Sequence, residues 1–269
     1  MADWHQCNIL SETNLPMRYL LALILAFATA SQADDMELVT DNVSLQYGIK
    51  NWITFNQTNG SQLVDMVGSL VFTNYGTVRP ILTNGNIGNC LFFGGGSNAY
   101  CSAGNGYSYS NNTTISVWFK TSDPTDSLQG IVGKTKAAGG FNRFAINRST
   151  TQLLRFIYEY PTNSGTIIGN VATSISAYTN NVWHNVVGVI GTNDIKLYVD
   201  GAFIGSSNCA VSVTNYSSLC PLTIGCYNDA SDFAANYFKG LIDDIKIIGR
   251  VWTPTEILLN YNNGFGTQQ

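Results

Sequence analysis

Two stretches near the end of the chain decide its fold: Asn181–Ser207 (NVWHNVVGVIGTNDIKLYVDGAFIGSS) and Tyr237–Asn260 (YFKGLIDDIKIIGRVWTPTEILLN). In the first stretch, a Val-rich apolar run is followed by alternating apolar and polar residues that end at Asp200-Gly201. An Asp-Gly pair in this position is a strong hairpin signal, because a type I′ turn requires positive φ at both central residues. The first stretch therefore predicts a β-hairpin that turns at Asp200-Gly201.

The second stretch predicts a strand followed by a short helix. Leu241–Ile248 has the composition of a strand, and Thr253 then stands three residues before Glu256, with Pro254 between them. A Thr and a Glu at this spacing form a capping box, and proline is favoured at the first position of a helix. From residue 43 onward, short strand-like runs alternate with Gly- and Asn-rich turns, which is typical of a β-sandwich or barrel.

Further motifs occur in a fixed order along the chain. They are Asn51–Phe55 with Asp65, Leu91–Gly95, Thr114–Lys120, Trp183-His184, Leu197–Gly201, Ile224-Gly225, Phe238–Asp244 and Glu256-Ile257. In this order they resemble the laminin-G-like (concanavalin A-like) jelly-roll family. The resemblance implies an all-β fold, a two-sheet antiparallel β-sandwich (jelly roll) with one short C-terminal helix, over residues 43–263.

The N-terminal segment has the pattern of a secretory signal peptide. Met17-Arg18 is followed by an apolar or small run, Tyr19–Ala30, and by the small-x-small sequence Ser31-Gln32-Ala33. This order of regions predicts cleavage after Ala33 with Met17 as the start, so residues 1–33 form a leader. The alternative is a membrane anchor, but the run is shorter than the ~20 apolar residues of a spanning helix.

The signal peptide predicts a protein that is secreted or held at the cell surface, without a membrane span in the mature chain. After it we expect an N-terminal arm over residues 34–42, one domain over residues 43–263 and a tail over residues 264–269. Charged residues make up only 11% of the chain, the net charge is −4 and no basic stretch occurs. This composition argues against a nucleic-acid partner.

Five cysteines follow the leader, and export makes disulfide bonds permissible. The short loops between Cys90 and Cys101 and between Cys209 and Cys220 predict two disulfides, although spacing alone does not fix the connectivity. Cys226 is then expected to be a buried free thiol on a strand. The alternative arrangement pairs Cys226 with Cys209.

The sequence offers little support for catalysis. Glycoside hydrolases need two carboxylates about 5–9.5 Å apart that flank one bond. Of the three glutamates after the leader, Glu37 lies in the arm, Glu256 is explained by its cap, and Glu159 has no acidic residue two or four positions away. The lone histidine of the mature chain, His184, lacks the partners of a triad or a zinc site, so we assign it a structural role. We expect a protein that is not an enzyme, with a polysaccharide hydrolase or lyase as the distant alternative.

Calcium is the ion that the family resemblance implies. Laminin-G-like domains often carry a calcium site, and the residues that match it here are Asp65 and Asp243. Calcium takes carboxylate and carbonyl oxygens as ligands. The chain departs from the family pattern at Gly94, where aspartate is frequent, and at Met66-Val67, which replace Ser-Gly. The alternative role of Asp243 is to anchor a strand end by hydrogen bonds.

Two polar loops with aromatic residues are the candidate ligand sites. Their members are Tyr107 and Tyr109 in the first loop, and Tyr227, Asp229, Asp232, Phe233 and Tyr237 in the second. Sugar binding uses exposed aromatic rings with amide and carboxylate groups, and loops on a rigid scaffold commonly carry such residues. Packing within the core is the alternative role of these rings.

Together these features predict a secreted, non-catalytic module that binds a glycan or a surface ligand, with calcium as a candidate cofactor. The alternative is a structural or adhesion module whose partner is a cell-surface or extracellular protein. Low charge combined with many hydroxyl and amide side chains suits either kind of exported β-sandwich.

Overall fold

A computed structural model of the protein describes residues 45–56, 58–59, 62–94, 98–104, 107–109, 111–121, 123–124, 127–135, 143–161, 167–178, 180–209, 220–227 and 235–266. All of them belong to one compact unit, Leu45–Gln269. The predicted leader and N-terminal arm lie outside the described residues. Within the described ranges, no helix combines the length and the hydropathy that a membrane crossing requires.

The described residues form a chain of short strands that ends in one helix. In order, these elements are β1 (Ile49–Ile53), β2 (Thr58–Asn59), β3 (Gln62–Val64), β4 (Val71–Tyr75), β5 (Ile81–Asn84), β6 (Asn89–Gly94), β7 (Tyr100–Ser102), β8 (Thr113–Lys120), β9 (Gln129–Lys134), β10 (Arg143–Arg148), β11 (Leu154–Pro161), β12 (Ile167–Thr173), β13 (His184–Ile190), β14 (Asp194–Val199), β15 (Ala202–Asn208), β16 (Leu222–Ile224), β17 (Lys239–Ile248) and α1 (Pro254–Gly266).

The strands pair into two sheets. The eight-stranded sheet has the order β15-β14-β13-β8-β17-β6-β5, with β1 pairing to β17 beside this path. The nine-stranded sheet has the order β12-β11-β10-β9-β16-β7-β4-β3-β2. Neighbouring strands are antiparallel in both sheets. The fold is therefore the predicted two-sheet antiparallel jelly-roll sandwich with one short C-terminal helix.

The predicted hairpin and capped helix are both present. β14 and β15 pair across Asp200-Gly201, whose φ angles are 51° and 77°. Thr253 Oγ1 accepts a hydrogen bond from Glu256 N (3.2 Å), and Glu256 Oε2 accepts one from Thr253 N (2.7 Å). These reciprocal bonds satisfy backbone donors at the start of α1. The helix continues to Gly266, past the predicted end of the domain at residue 263.

The main core lies between the sheets, and a second core lies between the eight-stranded sheet and α1. Side chains alternate between the two sides of a strand, so each sheet has an inner and an outer face. The inner faces approach closely where Gly188 lacks the Cβ that would collide with the Phe156 ring. The buried members of the second core are Leu45, Val187, Val189, Tyr198, Ile248, Trp252 and Ile257. Thus α1 covers part of the outer face of the eight-stranded sheet.

No disulfide bond joins the five cysteines of the described residues. Cys90 lies on the outer side of β6, where its Sγ donates to Asn84 O (3.3 Å). Cys101 belongs to the core between the sheets, and its Sγ donates to Asn74 Oδ1 (3.0 Å). The two side chains point into different layers of the molecule, which corrects the predicted Cys90–Cys101 pair.

The other three cysteines are also present as thiols. The predicted bond between Cys209 and Cys220 is not formed, and the alternative bond between Cys226 and Cys209 is not formed either. Cys226 is a buried thiol just after β16, as expected. Burial raises the pKa of Cys226 to about 12, so this thiol stays protonated.

Candidate binding face

The outer face of the nine-stranded sheet carries a cluster of aromatic and polar side chains, which we call the candidate binding face. Its members are Tyr75, Tyr100, Asn147, Arg155, Tyr227 and Tyr237. Cys101, Ile146 and Phe156 point into the main core, so their strand neighbours Tyr100, Asn147 and Arg155 point outward. Tyr227 and Tyr237 come from the segment that follows β16.

Three tyrosine rings form a row on this face, which we call the tyrosine row. Tyr75 and Tyr100 are ladder partners between β4 and β7, and their rings stack with centroids 4.9 Å apart. The Tyr237 ring tilts against the Tyr100 ring with centroids 6.2 Å apart. Tyr75 is 43% exposed, whereas the other two are half-buried. The row offers apolar ring surface next to phenol hydroxyl groups.

The phenols of Tyr100 and Tyr237 stay neutral. Burial raises the pKa of Tyr100 and of Tyr237, and the nearby Cys226 thiol adds to both shifts. A neutral phenol both donates and accepts hydrogen bonds. These side chains can therefore engage the hydroxyl groups of a ligand as well as its apolar surface.

The segment that carries Tyr227 passes close to β9. Tyr227 N donates to Ala235 O (3.0 Å), and Asn236 Nδ2 donates to Tyr227 O (3.2 Å). Gly130 N donates to Asn236 O (2.9 Å), which ties the segment to β9. A Cβ on Gly130 would collide with the backbone of Cys226, so glycine permits this close approach. The structure thus holds Tyr227 and the tyrosine row on the same face.

Arg155 is the cation of the candidate binding face. It is the ladder partner of Asn147, and its Nε donates to Asn147 Oδ1 (3.0 Å). Across the described part of the chain, no acidic side chain forms an ion pair with Arg155, which is half-buried. Burial lowers the pKa of Arg155, and Tyr227 nearby opposes this shift. A guanidinium remains protonated in proteins, so Arg155 is a cation without a counter-ion among the described residues.

The tyrosines of the other predicted loop lie in the main core instead. Tyr107 and Tyr109 are each 8% exposed, and the Tyr109 ring packs edge-on against Phe144 with centroids 5.0 Å apart. Burial raises the pKa of Tyr107. Neither ring presents a face to a ligand, which corrects the sequence-based prediction for these two residues. Outside the described residues lie the remaining predicted ligand residues, Asp229, Asp232 and Phe233.

Asp65 is buried beneath a turn and uses its carboxylate to hold that turn. Its Oδ1 accepts hydrogen bonds from the backbone N–H groups of Trp52 (2.8 Å), Val67 (3.1 Å) and Gly68 (3.0 Å). Its Oδ2 accepts one from Asn51 Nδ2 (2.5 Å). Calcium requires a shell of oxygen ligands, whereas N–H donors surround this carboxylate. The contacts of Asp65 are therefore those of a turn anchor.

Asp243 has the same kind of role for the turn before β6. Its Oδ2 accepts hydrogen bonds from Asn86 N and Ile87 N (both 2.8 Å), and its Oδ1 accepts one from Asp244 N (2.7 Å). Burial raises the pKa of Asp243 to about 7 in spite of these bonds. Within the described ranges, no group of three or more His, Cys, Asp or Glu side chains is arranged to hold a metal. Calcium at Asp65 and Asp243 thus stays a prediction that the contacts of these residues do not favour.

A small pocket opens where the β14–β15 hairpin meets the start of β13. Its lining includes Leu154, Ser174, Ser176, Tyr178, His184 and Asp200. The pocket has a volume of about 160 Å³, below the ~300–1,000 Å³ of most ligand pockets. His184 Nδ1 lies 2.7 Å from Asp200 Oδ2, and Ser174 Oγ is engaged by main-chain groups of Ser176 (2.9 Å) and Leu154 (3.0 Å). The contact between His184 and Asp200 joins β13 to the turn of the β14–β15 hairpin. This is consistent with the structural role predicted for His184.

Sequence reasoning missed Tyr75, Tyr100, Asn147 and Arg155. A signal was present, because three of these residues adjoin core residues on strands and alternation places them on an outer face. Alternation does not reveal which outward side chains are neighbours, since the order of β4, β7, β10 and β11 in the sheet is a tertiary property. The cluster therefore became visible only with the strand order.

Comparison with known families gives one match. The family model for the concanavalin A-like lectin/glucanases superfamily, Laminin_G_3, matches residues 94–258. This range runs from the end of β6 into α1 and includes most residues of the candidate binding face. No curated protein sequence matches the chain.

Several solved structures share the fold. Domain 4 of AbnA, a GH43 extracellular arabinanase from Geobacillus stearothermophilus in complex with arabinotriose, is 16% identical with a TM-score of 0.56, over 78% of this chain and 96% of that domain. The binding domain of Paraclostridial Mosquitocidal Protein 1 is 14% identical with a TM-score of 0.59, over 81% of this chain and 53% of that one. The receptor-binding domain of botulinum neurotoxin type G is 16% identical with a TM-score of 0.56, over 80% of this chain and 51% of that one.

This chain spans nearly the whole arabinanase domain but only about half the length of the two toxin domains. At these low identities the likeness is one of fold. The family match covers more than half of the sequence and agrees with the two-sheet sandwich described above. The chain therefore belongs to the concanavalin A-like lectin/glucanases superfamily.

Proposed function

We propose that the protein is a non-catalytic module that binds a glycan on its candidate binding face. The observation that carries this proposal is the tyrosine row, in which Tyr75, Tyr100 and Tyr237 place partly exposed rings next to one another. A sugar ring has an apolar C–H face and polar hydroxyl groups at its rim. Aromatic rings with phenol hydroxyl groups match both features, because a tyrosine side chain is apolar in its body and polar at its tip.

The position of the tyrosine row supports a binding role. Two of its rings, Tyr75 and Tyr100, stand on strands of the sheet, so little conformational freedom is lost there when a ligand binds. The nearby segment with Tyr227 adds a further aromatic side chain and backbone groups on the same face. An open face of this kind suits an extended ligand such as a polysaccharide chain better than the small pocket beside His184 does.

The fold neighbours are in keeping with the proposal. The arabinanase domain was solved with arabinotriose bound, and the two toxin domains are described as binding or receptor-binding domains. Those ligands are properties of those proteins, and fold alone does not establish function. They favour a carbohydrate or receptor ligand as the first class to test.

We propose a binding module rather than an enzyme because the adjacent carboxylates that the structure describes are engaged in holding the fold. The adjacent carboxylates Asp243 and Asp244 are buried, and each is held by hydrogen bonds within the eight-stranded sheet region. Glu159, the acidic residue that a hydrolase would need, lies on β11. Release of reducing ends from a polysaccharide, abolished by Glu159→Gln, would overturn the non-catalytic proposal.

The test of the binding proposal is a glycan array followed by affinity measurement with the best ligand. Tyr75→Ala and Tyr237→Ala are expected to weaken binding about two- to tenfold each, the range for loss of one aromatic contact. Tyr47→Ala is the matched control, because Tyr47 is a 74% exposed tyrosine that packs on Arg250 away from the tyrosine row. Binding that is unchanged in both row variants would exclude this face as the glycan site.

Protein adhesion is the second candidate function, and the edge strand β5 is the observation that favours it. Ile81 and Leu82 are 55% and 43% exposed there, and their neighbour Phe92 on β6 is 42% exposed. An exposed edge strand has unpaired main-chain groups that another chain can use. Retention on a protein partner without sugar binding, lost when Ile81→Lys is introduced, would support adhesion instead of glycan recognition.

The proposed place of action is outside the cytoplasm, as the predicted signal peptide indicates. Expression of the full chain in a secretory host tests this part of the proposal. The exported protein should begin at Asp34 when its N-terminus is sequenced, since cleavage is expected after Ala33. Retention of the intact leader in the cell would contradict it.

A further inference from the structure

Arg155 is a cation that lies on strand β11. It is half-buried, and no acidic side chain among the described residues neutralises it. A cation removed from water is normally paired with an anion, because burial of an unpaired charge is unfavourable. Two other cations follow that rule, since Lys246 pairs with Asp244 (2.7 Å) and Arg250 with Glu256 (2.6 Å). The buried Lys134 and Arg148 instead donate to main-chain carbonyl groups (2.8 and 3.0 Å).

Asn147 adds to the excess of donors around Arg155. Its Oδ1 accepts from Arg155 Nε (3.0 Å), which fixes the amide so that Nδ2 is left as the free end. Asn147 is 0% exposed, and its Nδ2 has no hydrogen-bond partner among the residues that the structure describes. Buried donors are nearly always satisfied in folded proteins. The pair therefore has donor groups at Arg155 Nη1, Arg155 Nη2 and Asn147 Nδ2, with no protein acceptor for the amide.

The Arg155–Asn147 pair lies on the same face as the tyrosine row. From Tyr75 on β4 to Arg155 on β11 the sheet order is β4-β7-β16-β9-β10-β11. Adjacent strands are about 4.8 Å apart, so this path crosses about 24 Å of sheet. Tyr227 lies between the two ends, close enough to Arg155 to affect its pKa. An extended ligand on the tyrosine row can therefore reach the guanidinium.

We propose that Arg155, positioned by Asn147, binds the carboxylate of an acidic saccharide, so that the ligand of this face is a uronic-acid-type glycan. This proposal rests on the proposed function and names the class of its ligand. A guanidinium presents its N–H groups in a planar fork that matches a carboxylate, and its Nη atoms are not engaged by any acid of the described chain. Asn147 acts as a positioning residue, because its amide holds the guanidinium through Nε.

The test compares matched acidic and neutral polymers. Polygalacturonate, alginate and hyaluronan are each measured beside a carboxyl-reduced preparation of the same polymer, which keeps the backbone but loses the charge. We expect at least one acidic form to bind about tenfold or more tightly than its reduced form, as for hydrogen bonds to a charged group. This preference should weaken between 50 and 500 mM NaCl, by roughly the screening expected for partly exposed charges.

Two variants assign the preference to this pair. Arg155→Gln should remove the preference for the acidic polymer, so that the ratio of the two affinities falls to about one. Asn147→Asp should have the same effect while keeping the side-chain shape, because the new carboxylate would pair with Arg155 and compete with the ligand. Lys50→Gln is the control, since it removes one exposed positive charge from β1 in the other sheet. Circular dichroism and urea unfolding are used to check that each variant is folded.

The outcomes of these experiments test the carboxylate subsite at Arg155 separately from glycan binding by the candidate binding face. If no acidic polymer binds better than its reduced form, or if Arg155→Gln keeps the preference, the carboxylate subsite is wrong. The glycan-binding proposal still holds in that case when Tyr75→Ala weakens binding of the neutral polymer. If a sulfated glycan is preferred over every carboxylate and the preference depends on Arg155, the carboxylate assignment is overturned in favour of sulfate. Loss of all glycan binding in the wild-type protein would overturn both proposals.

Discussion

The outer faces of the two sheets differ in how their polar side chains are satisfied. On the eight-stranded sheet, Asn260 of α1 donates to Ser116 Oγ (3.0 Å), and Lys246 Nζ donates to Asp244 Oδ2 (2.7 Å). On the nine-stranded sheet, Arg155 has no acidic partner among the described residues, and the tyrosine row is partly exposed. The helix covers part of the outer face of the eight-stranded sheet, where polar side chains pair with one another. The outer face of the nine-stranded sheet instead carries partly exposed aromatic rings and a cation with no acidic partner among the described residues.

Under the proposed function, this difference separates a structural face from a binding face. Polar groups that satisfy one another beneath a helix contribute to the fold and leave nothing for a ligand. A cation beside aromatic rings that has no counter-ion among the described residues is the opposite case, because its donor groups are available for a ligand. Substitutions on the covered face should therefore change stability, and substitutions on the candidate binding face should change affinity.

The largest expected effect is the loss of a buried aromatic ring from the covered face. Trp252 is 1% exposed in the second core, and Trp252→Ala should lower the free energy of unfolding by about 3–5 kcal/mol. Tyr75→Ala, on the open face, should lower it by only about 0.5–1.5 kcal/mol, the value of one aromatic pair, because this ring stacks on Tyr100. Urea unfolding of the two variants measures both values. Equal losses of unfolding free energy in the two variants would mean that the covered face does not contribute more to stability than the candidate binding face.

The next effect concerns the buried carboxylate Asp243. Its pKa is raised from 3.8 to about 7 in the folded protein, so the folded state binds this proton more tightly than the unfolded state does. The wild-type protein should therefore lose stability as the pH rises from 3.8 towards 7. Asp243→Asn should lack this part of the pH dependence. At low pH the variant should be less stable by about 1–3 kcal/mol, because an amide does not accept all the N–H bonds that converge there.

Thermal unfolding between pH 4 and pH 8 checks this prediction. The control is Asp194→Asn, because Asp194 forms a surface ion pair with Lys196 (3.0 Å) and keeps its carboxylate partly exposed. The difference in stability between wild type and Asp243→Asn should shrink as the pH rises, whereas the difference for the control should not. Parallel pH profiles for all three proteins would show that Asp243 does not contribute to this dependence.

A smaller effect is expected at the start of α1. Thr253 Oγ1 accepts from Glu256 N (3.2 Å), and Thr253→Ala should cost about 1 kcal/mol of stability because a helix cap is lost. Thr255→Ala is the matched control, since Thr255 is exposed and lies within the same first turn. Chemical unfolding distinguishes the two variants. A larger loss for the control would mean that the capping box does not fix the start of the covering helix.

The smallest expected effect is that of calcium. The carboxylates of Asp65 and Asp243 are held by N–H donors, so neither added calcium nor a chelator should shift the melting temperature measurably. Differential scanning fluorimetry with calcium, with magnesium and with EDTA makes this comparison. A rise in melting temperature that is specific to calcium and absent in Asp65→Asn would support the calcium site that the family resemblance implies.

Local sequence predicted several elements of the fold, but it predicted fewer residues of the candidate binding face. The Asp200-Gly201 turn and the Thr253/Glu256 cap each depend on a few adjacent residues, so their patterns carry the information. The predictions for Tyr107 and Tyr109 failed because a polar loop composition does not show which rings turn into the core. Hydrogen bonding by Asp243 agrees with the alternative that the sequence had left open.

By itself, the sequence determined the hairpin and the capped helix, because turn and cap chemistry act within short windows. Its alternating runs indicated a sandwich or barrel, and the family resemblance implied the two-sheet antiparallel sandwich. Only the tertiary structure decided that Cys90 and Cys101 point into different layers and that Tyr75 stacks on Tyr100. It likewise decided that Arg155 has no acidic neighbour among the described residues. The physical reason is that the exposure and pairing of side chains depend on which distant strands become neighbours, and local sequence patterns do not encode that order.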